Sequence, residues 1–327
     1  MKKLLRRTFL LAIIVGASFM FWAERPIIAD GHPAIEFTIT PGSSLRSSMQ
    51  QIDEALVPVQ PMMMVILAQV TGNSTKLKAG TYELKPGTTP RGLVDQLVRG
   101  EFAQEAVTVI EGWSFKQMRQ AINAHASLKH DTAALSDQEL MAKISSTYTK
   151  PEGLFAPDTY VFAKNSSDLQ IYKQAHNLML KRLNEAWLAR DSTLPYASPY
   201  EALIMASIVE KETGKKAERT MIAGVFVNRL KQGMLLQTDP TVIYGMGDSY
   251  KGNIRKRDLQ TDTPHNTYTR VGLPPTPISL PGAESLHAAL NPAATDAVYF
   301  VARGDGSSQF SATLDDHNNA VNKYQRK

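Results

Sequence analysis

The hydrophobic pattern begins with an uncharged run of sixteen residues, TFLLAIIVGASFMFWA, from Thr8 to Ala23. Four basic residues precede it: Lys2, Lys3, Arg6 and Arg7. As a helix the run would measure about 24 Å, slightly less than the hydrocarbon core of a bilayer, and long arginine side chains can reach the headgroups. A cleavage site needs small residues, whereas the end of this run is Phe19-Met20-Phe21-Trp22, and no A-x-A pattern follows. We therefore predict that residues 1–25 are a cytoplasmic tail and an uncleaved transmembrane anchor. A cleaved signal peptide is the alternative.

The basic residues lie before the apolar run, so the positive-inside rule predicts that everything after it is exported. Residues 26–36, with two prolines and a glycine, read as a linker. Residues 37–105 then predict a compact α/β unit with two strands and several helices. The turns PGSS at 41–44 and PGTT at 86–89 each end in residues that favour a helix N-cap.

Residues 106–327 are predicted to form a second, larger domain that is mainly helical. Helices are predicted over about 168–190, 198–213 and 217–232, and a strand over 298–302. The segment PEGLFAPDTYVF at 151–162 is typical of a structured loop. Residues 234–285 are rich in Gly, Pro, Asp and Thr and are predicted to have little regular structure, and long ordered loops usually carry function. The predicted fold class is α+β.

Composition excludes several classes of function. The net charge is +5, but residues 1–25 carry +4 of it, so the rest of the chain does not predict a nucleic-acid partner. There are no cysteines, which excludes disulfides, thiolate metal sites and cysteine nucleophiles. The 7 histidines show no H-x-x-x-H spacing, and no glycine-rich phosphate loop is present. We predict no metal and no cofactor.

The helix EALIMASIVEKETG at 201–214 is apolar nearly all round and is predicted to be buried. It ends in Glu210-Lys211-Glu212, and residues two apart do not share a helix face. Glu212 lies over Met205, Ile208 and Val209, and an apolar wall raises the pKa of a carboxyl group. This favours Glu212 over Glu210 as a general acid. The alternative is that both are solvated charges at a helix end.

Polar residues that follow this helix suit a substrate with many hydroxyl groups. The predicted sugar-binding residues of the segments 236–245 and 266–268 are Gln237, Thr238, Asp239, Tyr244, Asn266 and Tyr268. The predicted supporting residues of the next helix are Glu218, Asn228 and Arg229. Ordinary turn chemistry and surface exposure are the alternatives for both sets.

Several long motifs, in order, resemble the MltG/YceG-like family of endolytic murein transglycosylases. They are EGLFAPDTY (152–160), ASIVEKET (206–213), AER (217–219), FVNRL (226–230), LQTDPTVIYGMG (236–247) and NTYTRVGLPPTPISLPG (266–282). KAGTYEL at 78–84 is similar to the family's LysM-like subdomain, and the resemblance covers roughly residues 37 to 324. The chain departs from the family at Leu154 and Ala156, where aromatic residues are frequent.

The resemblance implies an enzyme outside the cytoplasmic membrane that cuts the β-1,4 bond between N-acetylmuramic acid and N-acetylglucosamine within glycan strands. It implies 1,6-anhydro-muramyl ends, a role in trimming or terminating nascent strands, and association with peptidoglycan synthases. Glu212 falls on the family's catalytic glutamate, and Glu152, Asp158 and Tyr160 join the predicted substrate-binding residues.

In the resulting hypothesis Glu212 protonates the leaving oxygen, and the 6-hydroxyl of the muramyl sugar attacks its own anomeric carbon, so no second carboxylate is needed. Two other functions stay open. One is a lysozyme-type hydrolase in which Asp239 or Asp158 is the second carboxylate. The other is a wall-binding protein without activity. The mass of the product distinguishes them, because an anhydro end is lighter by one water than a reducing end.

Overall fold

The computed structural model describes residues 1–325, so the last two residues of the predicted catalytic domain, 326 and 327, lie outside the described residues. The chain forms two compact units. The first consists of Met1–Glu105 and Val161–Ser166. The second consists of Ala106–Tyr160 and the chain from Ser167 onward. The mixture of helices and strands agrees with the predicted α+β class.

The first unit contains the elements α1 (Lys2–Ala23), β1 (Ile35–Ile39), α2 (Leu45–Glu54), α3 (Pro61–Val70), β2 (Gly80–Leu84) and α4 (Pro90–Arg99). Strands β1 and β2 pair antiparallel, with Phe37 opposite Tyr82. Their rings stack in the core at 5.5 Å between centroids. The side chains of Ser44 and Thr89 cap α2 and α4, which confirms that both PG turns open a helix.

The C-terminal end of α1 belongs to the core of this unit. Ala23 is 1% exposed and lies in the same apolar cluster as Ile28 and Leu67, and Phe19 and Trp22 pack against it. Most of the preceding apolar residues of α1 are exposed. By length and composition the helix can cross a membrane, and these properties fit an anchor and a signal sequence equally.

The second unit is mainly helical. Strands β3 (Gln104–Thr108), β5 (Thr159–Ala163) and β6 (Ser166–Ser167) lie where the chain passes between the units. The other elements are α5 (Phe115–Asn123), β4 (Leu128–Lys129), α6 (Asp137–Ala142), α7 (Asp168–Leu188), α8 (Pro199–Glu212), α9 (Arg219–Lys231), α10 (Asp239–Met246), α11 (Lys256–Gln260), α12 (Ala283–Leu290), β7 (Tyr299–Ala302), β8 (Ser308–Ser311) and α13 (Leu314–Tyr324). Strands β7 and β8 pair antiparallel, with Phe300 opposite Phe310.

Helix α8 is the centre of the second unit. It packs against α7, α9, α10 and α12, and every residue from 202 to 209 is buried, as its apolar sequence predicted. Ser198 caps the helix by accepting a hydrogen bond from the Glu201 amide, and Pro199 occupies the first turn, where no amide donor is needed. The buried body of α8 fixes the position of its C-terminal residue, Glu212.

The prediction of little regular structure over 234–285 holds for most of the segment but is wrong for residues 239–249 and 256–260. The segment contains α10, α11 and a 3-10 turn at Gly247–Ser249. Helix α10 begins at Asp239 with Pro240 in its first turn, a position that tolerates proline. Asp239 and Tyr244, which were expected on a loop, therefore project from one short helix. Residues 125–150 contain the two-residue strand β4 and the six-residue helix α6.

Candidate active site

The two carboxylates of the motif Glu210-Lys211-Glu212 leave α8 in different directions. Glu210 accepts hydrogen bonds from Arg219 Nη2 at 3.2 Å and from the Gly282 amide at 2.9 Å. The side chains of Glu210 and Arg219 are each 6% exposed, so this is a buried ion pair. Glu212 instead accepts a hydrogen bond from the hydroxyl of Thr238. The predicted divergence is confirmed: Glu210 is held by a cation, and Glu212 by a neutral donor.

Thr238, at the start of α10, forms hydrogen bonds through its main chain as well as through its hydroxyl. Its amide donates to the Thr267 hydroxyl at 3.1 Å, and its carbonyl accepts from the Thr241 hydroxyl at 2.7 Å. The preceding residue, Gln237, has a φ of +49° and donates its amide to the Thr267 carbonyl at 3.1 Å. A non-glycine residue with positive φ is uncommon, and such backbone strain is found at functional sites.

The surroundings of Glu212 favour the protonated carboxyl. Burial is the largest cause that raises its pKa, and the nearby charge of Asp239 raises it further. The hydrogen bond from Thr238 and the charge of Arg229 lower the pKa, but the net shift is upward. A carboxyl that keeps its proton closer to neutral pH is what a general acid requires.

Arg229 is buried and held by backbone carbonyl groups. Its Nε donates to Val298 at 2.6 Å, its Nη1 donates to Leu236 at 2.8 Å, and the guanidinium lies 5.3 Å from the ring centroid of Tyr299. These contacts fix a positive charge near Glu212 and fasten the segment before α10. The charge of Arg229 also acts on the candidate acid, because it lowers the pKa of Glu212.

The other two predicted supports contact different parts of the unit. Asn228 donates to the carbonyls of Thr295 and Ala297 at 2.8 and 3.0 Å. Glu218 accepts from the amide of Ser308 at 3.0 Å. Both side chains therefore hold the segments around β7 and β8, and neither is hydrogen-bonded to Glu212.

Asp239 and Tyr268 form the exposed side of the site. The Tyr268 hydroxyl donates to Asp239 at 2.6 Å. Asn266 is fully buried, accepts from the Tyr268 amide at 2.8 Å, and donates to the carbonyls of Leu259 and Thr261. Asn266 therefore positions Tyr268 and does not itself face solvent.

Another buried carboxylate, that of Glu152, lies at the other end of α10. Glu152 is 7% exposed, accepts from the Phe115 amide at 2.9 Å, and accepts from the Tyr244 hydroxyl at 3.1 Å. Burial is the main cause that raises its pKa to about 7. Glu152 and Tyr244 line a cavity of about 660 Å³ together with Lys116, Lys150 and His265. The structure thus brings Glu152 to α10 from a distant part of the sequence.

The side chains of Asp158 and Tyr160 form their hydrogen bonds away from Glu212. Asp158 accepts from Arg182 Nη2, on α7, at 2.8 Å, and the Tyr160 hydroxyl donates to the Ala156 carbonyl at 2.5 Å. Neither side chain is hydrogen-bonded to the residues around Glu212. Among residues 1–325, no group of three or more histidine, aspartate and glutamate side chains is arranged to hold a metal ion.

The sequence did not predict which residues connect α8, the start of α10 and the segment 266–282. Thr267 carries the hydroxyl that receives the Thr238 amide, and Ser207, on α8, accepts from the Ile278 amide at 2.9 Å and receives the Ser279 hydroxyl on its carbonyl at 3.1 Å. The signal was present in the segment NTYTRVGLPPTPISLPG, but the sequence does not show which helix that segment contacts.

Comparison with known proteins identifies the family. Residues 37–323 match the sequence profile of the YceG-like family, and the chain belongs to that family. It is 32% identical over 333 residues to an endolytic murein transglycosylase of Bacillus subtilis, covering 95% of this chain and 91% of the relative. It is 26% identical to an endolytic murein transglycosylase of Streptococcus pneumoniae, of which it spans 61%. A crystal structure of a yceG-like protein from Listeria monocytogenes is 30% identical, with a TM-score of 0.56, covering 88% of this chain and 98% of that one.

Proposed function

We propose that this chain is an endolytic murein transglycosylase. It cuts the β-1,4 bond between N-acetylmuramic acid and N-acetylglucosamine within peptidoglycan strands and leaves 1,6-anhydro-muramyl ends. The relatives from Bacillus subtilis and Streptococcus pneumoniae carry the name of this activity. The observation that carries the proposal is the environment of Glu212, a carboxyl with a raised pKa that is held by the neutral hydroxyl of Thr238.

Glu212 acts twice in the proposed reaction. In its protonated form it gives the proton to the glycosidic oxygen, and the bond from that oxygen to the anomeric carbon breaks. The ionised carboxylate then accepts the proton of the 6-hydroxyl of the muramyl sugar, whose oxygen bonds to the anomeric carbon. The nucleophile belongs to the substrate, so a second catalytic carboxylate is unnecessary, and the attack gains from intramolecular proximity.

The remaining predicted residues divide into three proposed groups. Gln237, Asp239 and Tyr268 lie at the exposed side of the site and contact the sugars beside the cleaved bond. Glu152 and Tyr244, at the far end of α10, bind a more distant part of the strand. The residues that we assign to positioning are Thr238, Arg229, Asn228, Asn266, Glu218, Asp158 and Tyr160.

The activity is tested by mass spectrometry of purified peptidoglycan after digestion with the full-length protein in detergent. We expect anhydro-ended fragments from the wild type and at least about 100-fold less product from Glu212→Gln, because general acid catalysis contributes roughly 10²–10⁴-fold. Asp239→Asn is the matched variant, since Asp239 is the acidic neighbour that raises the pKa of Glu212. We expect it to keep the anhydro product.

Two results of that experiment contradict the proposal. Reducing ends, heavier by one water and dependent on both Glu212 and Asp239, would identify a hydrolase of lysozyme type. Binding of glycan with no cleavage by any variant would identify a wall-binding protein.

We further propose that α1 is a single-pass anchor in the cytoplasmic membrane, with its basic tail inside and both units outside. The charge before the apolar run and the extracytoplasmic position of peptidoglycan support this topology. Residues 26–36 join α1 to β1 along the core of the first unit, in which Ile28 is buried, and residues 37–105 serve as a LysM-like subdomain. Synthases of the wall are proposed partners, because trimming of nascent strands requires access to newly made glycan.

A further inference from the structure

Helix α3 of the first unit exposes a stripe of large apolar side chains. Its sequence, PMMMVILAQV, contains a single polar residue, Gln69. Met64, Leu67 and Ala68 are buried in the core, whereas Met62, Ile66 and Val70 are 56%, 39% and 73% exposed. These three residues are spaced by four and therefore share one face of the helix. A helix that is apolar all round is normally covered on every side, so this stripe requires a covering surface.

The stripe begins where α1 joins the unit. Phe19, Met20 and Ala23 of α1 line a groove of about 320 Å³ together with Leu67 and Val70 of α3. The final turn of α1 therefore lies beside the C-terminal end of α3 and packs against α4, whose Arg91 also lines the groove. The exposed face of α3 continues the apolar surface of α1.

The length of α1 places this junction at the edge of a bilayer. The uncharged run from Thr8 to Ala23 is about 24 Å long, whereas the hydrocarbon core is about 30 Å thick. Because the last turn of α1 is already packed against the unit, the outer boundary of the hydrocarbon falls at the junction with α3 or beyond it. Trp22, together with Arg25, which lies 4.5 Å from the ring centroid of Phe21, marks the interfacial level.

We propose that the stripe Met62, Ile66 and Val70 inserts into the outer leaflet beside α1, with lipid acyl chains as its covering surface. The inference rests on the proposed anchor role of α1. The first unit is then fixed to the membrane by two elements, which restricts its orientation in a way that a single helix and a flexible link would not.

The full-length chain allows a direct test because it contains no cysteine. Single cysteines replace Met62, Ile66, Val70, Val15 within α1 and the exposed Glu83 of β2, and each carries a nitroxide label in vesicles of phosphatidylethanolamine and phosphatidylglycerol. Accessibility to oxygen, which concentrates in lipid, is compared with accessibility to a water-soluble nickel chelate. We expect the three α3 labels to resemble Val15→Cys, with an oxygen-to-nickel ratio several-fold above that of Glu83→Cys.

A second variant checks that the apolar face is responsible. Ile66→Glu is expected to return the label at position 62 to the values of the Glu83 position, whereas Gln69→Glu, a charge at an exposed polar position of the same helix, is expected to leave it in lipid. Two results would overturn the proposal while α1 remains an anchor. In one, the α3 labels resemble position 83 although position 15 is in lipid. In the other, the α3 labels exclude both reagents, which means that a second copy of the chain covers the stripe. A water-accessible label at position 15 would overturn the anchor itself.

Discussion

The hydroxyl of Thr238 opposes the burial of Glu212, because its hydrogen bond favours the ionised carboxylate and lowers the pKa that burial raises. Replacement of Thr238 by valine removes this donor, and the pKa of Glu212 rises. A general acid works while it is protonated, so activity falls as the pH rises through its pKa. We therefore expect Thr238→Val to move the alkaline limb of kcat/KM to higher pH, and Thr238→Ser, which keeps the hydroxyl, to leave it in place. If the alkaline limb of kcat/KM is unchanged in Thr238→Val, the hydroxyl of Thr238 does not control the pKa of the catalytic acid.

Glu152 makes the stability of the protein depend on pH. Its pKa is about 7 in the folded protein and 4.5 for an ordinary glutamate, as in the unfolded chain, so the folded protein holds this proton more tightly. Between these values the unfolded state loses the proton first, and stability falls as pH rises, by up to about 3 kcal/mol. Below this window, where Glu152 is protonated in both states, the loss is absent.

Glu152→Gln removes this titration and keeps an acceptor oxygen for the Phe115 amide, while its amide nitrogen can donate to the oxygen of the Tyr244 hydroxyl. In urea unfolding, the wild type is expected to lose stability relative to the variant from about pH 5 to about pH 8. A constant difference between the two proteins across that range would show that Glu152 is not the responsible group.

At the scale of single residues, helix periodicity was sufficient to predict that Glu210 and Glu212 point in different directions. The sequence did not predict the hydrogen bond between Glu152 and Tyr244, which are 92 positions apart in the chain. Helical spacing fixes local neighbours, whereas such a pair depends on how distant segments pack, and a single sequence does not encode that in any local pattern.

Helices α8 and α9 are connected by the buried pair of Glu210 and Arg219. Removal of the cation in Arg219→Met leaves Glu210 charged and buried, which destabilises a protein by roughly 3–5 kcal/mol. The double variant Glu210→Gln/Arg219→Met leaves no buried charge, and we expect it to recover much of the loss. Chemical unfolding of the wild type, the single variant and the double variant measures this. Equal losses in the single and double variants would mean that packing of the Arg219 stem, and not its charge, matters.

The elements themselves were predictable where their signals were long. Helix α8 has a serine cap, a proline in its first turn and an uninterrupted apolar body. Helix α10 has eight residues, too few to establish a helical period, and Pro240 resembles a loop residue although it occupies a first turn. The Thr238 and Thr267 contacts that fix its start join residues 29 positions apart, so the sequence alone does not reveal them.

The charge distribution divides the whole molecule into a basic end and a nearly neutral remainder. Residues 1–25 carry +4 of the net charge of +5, and the apolar run follows directly. An orienting signal therefore lies at one end of the chain, while every group in the proposed reaction lies in the second unit. In the proposed topology, retention of α1 keeps that unit at the membrane.

We expect the protein to be retained in the membrane fraction as the intact chain of 36.1 kDa. The residues that end the apolar run, Phe19 to Ala23, are bulky or are packed into the core of the first unit, and a cleavage site requires small residues. Intact-mass measurement of the purified protein tests this, and a shorter, soluble chain in the wild type would identify a cleaved signal sequence. The matched variant Phe19→Ala/Phe21→Ala creates an A-x-A pattern at the same place. We expect it to release a shortened chain, because the two substitutions supply the small residues that a cleavage site requires.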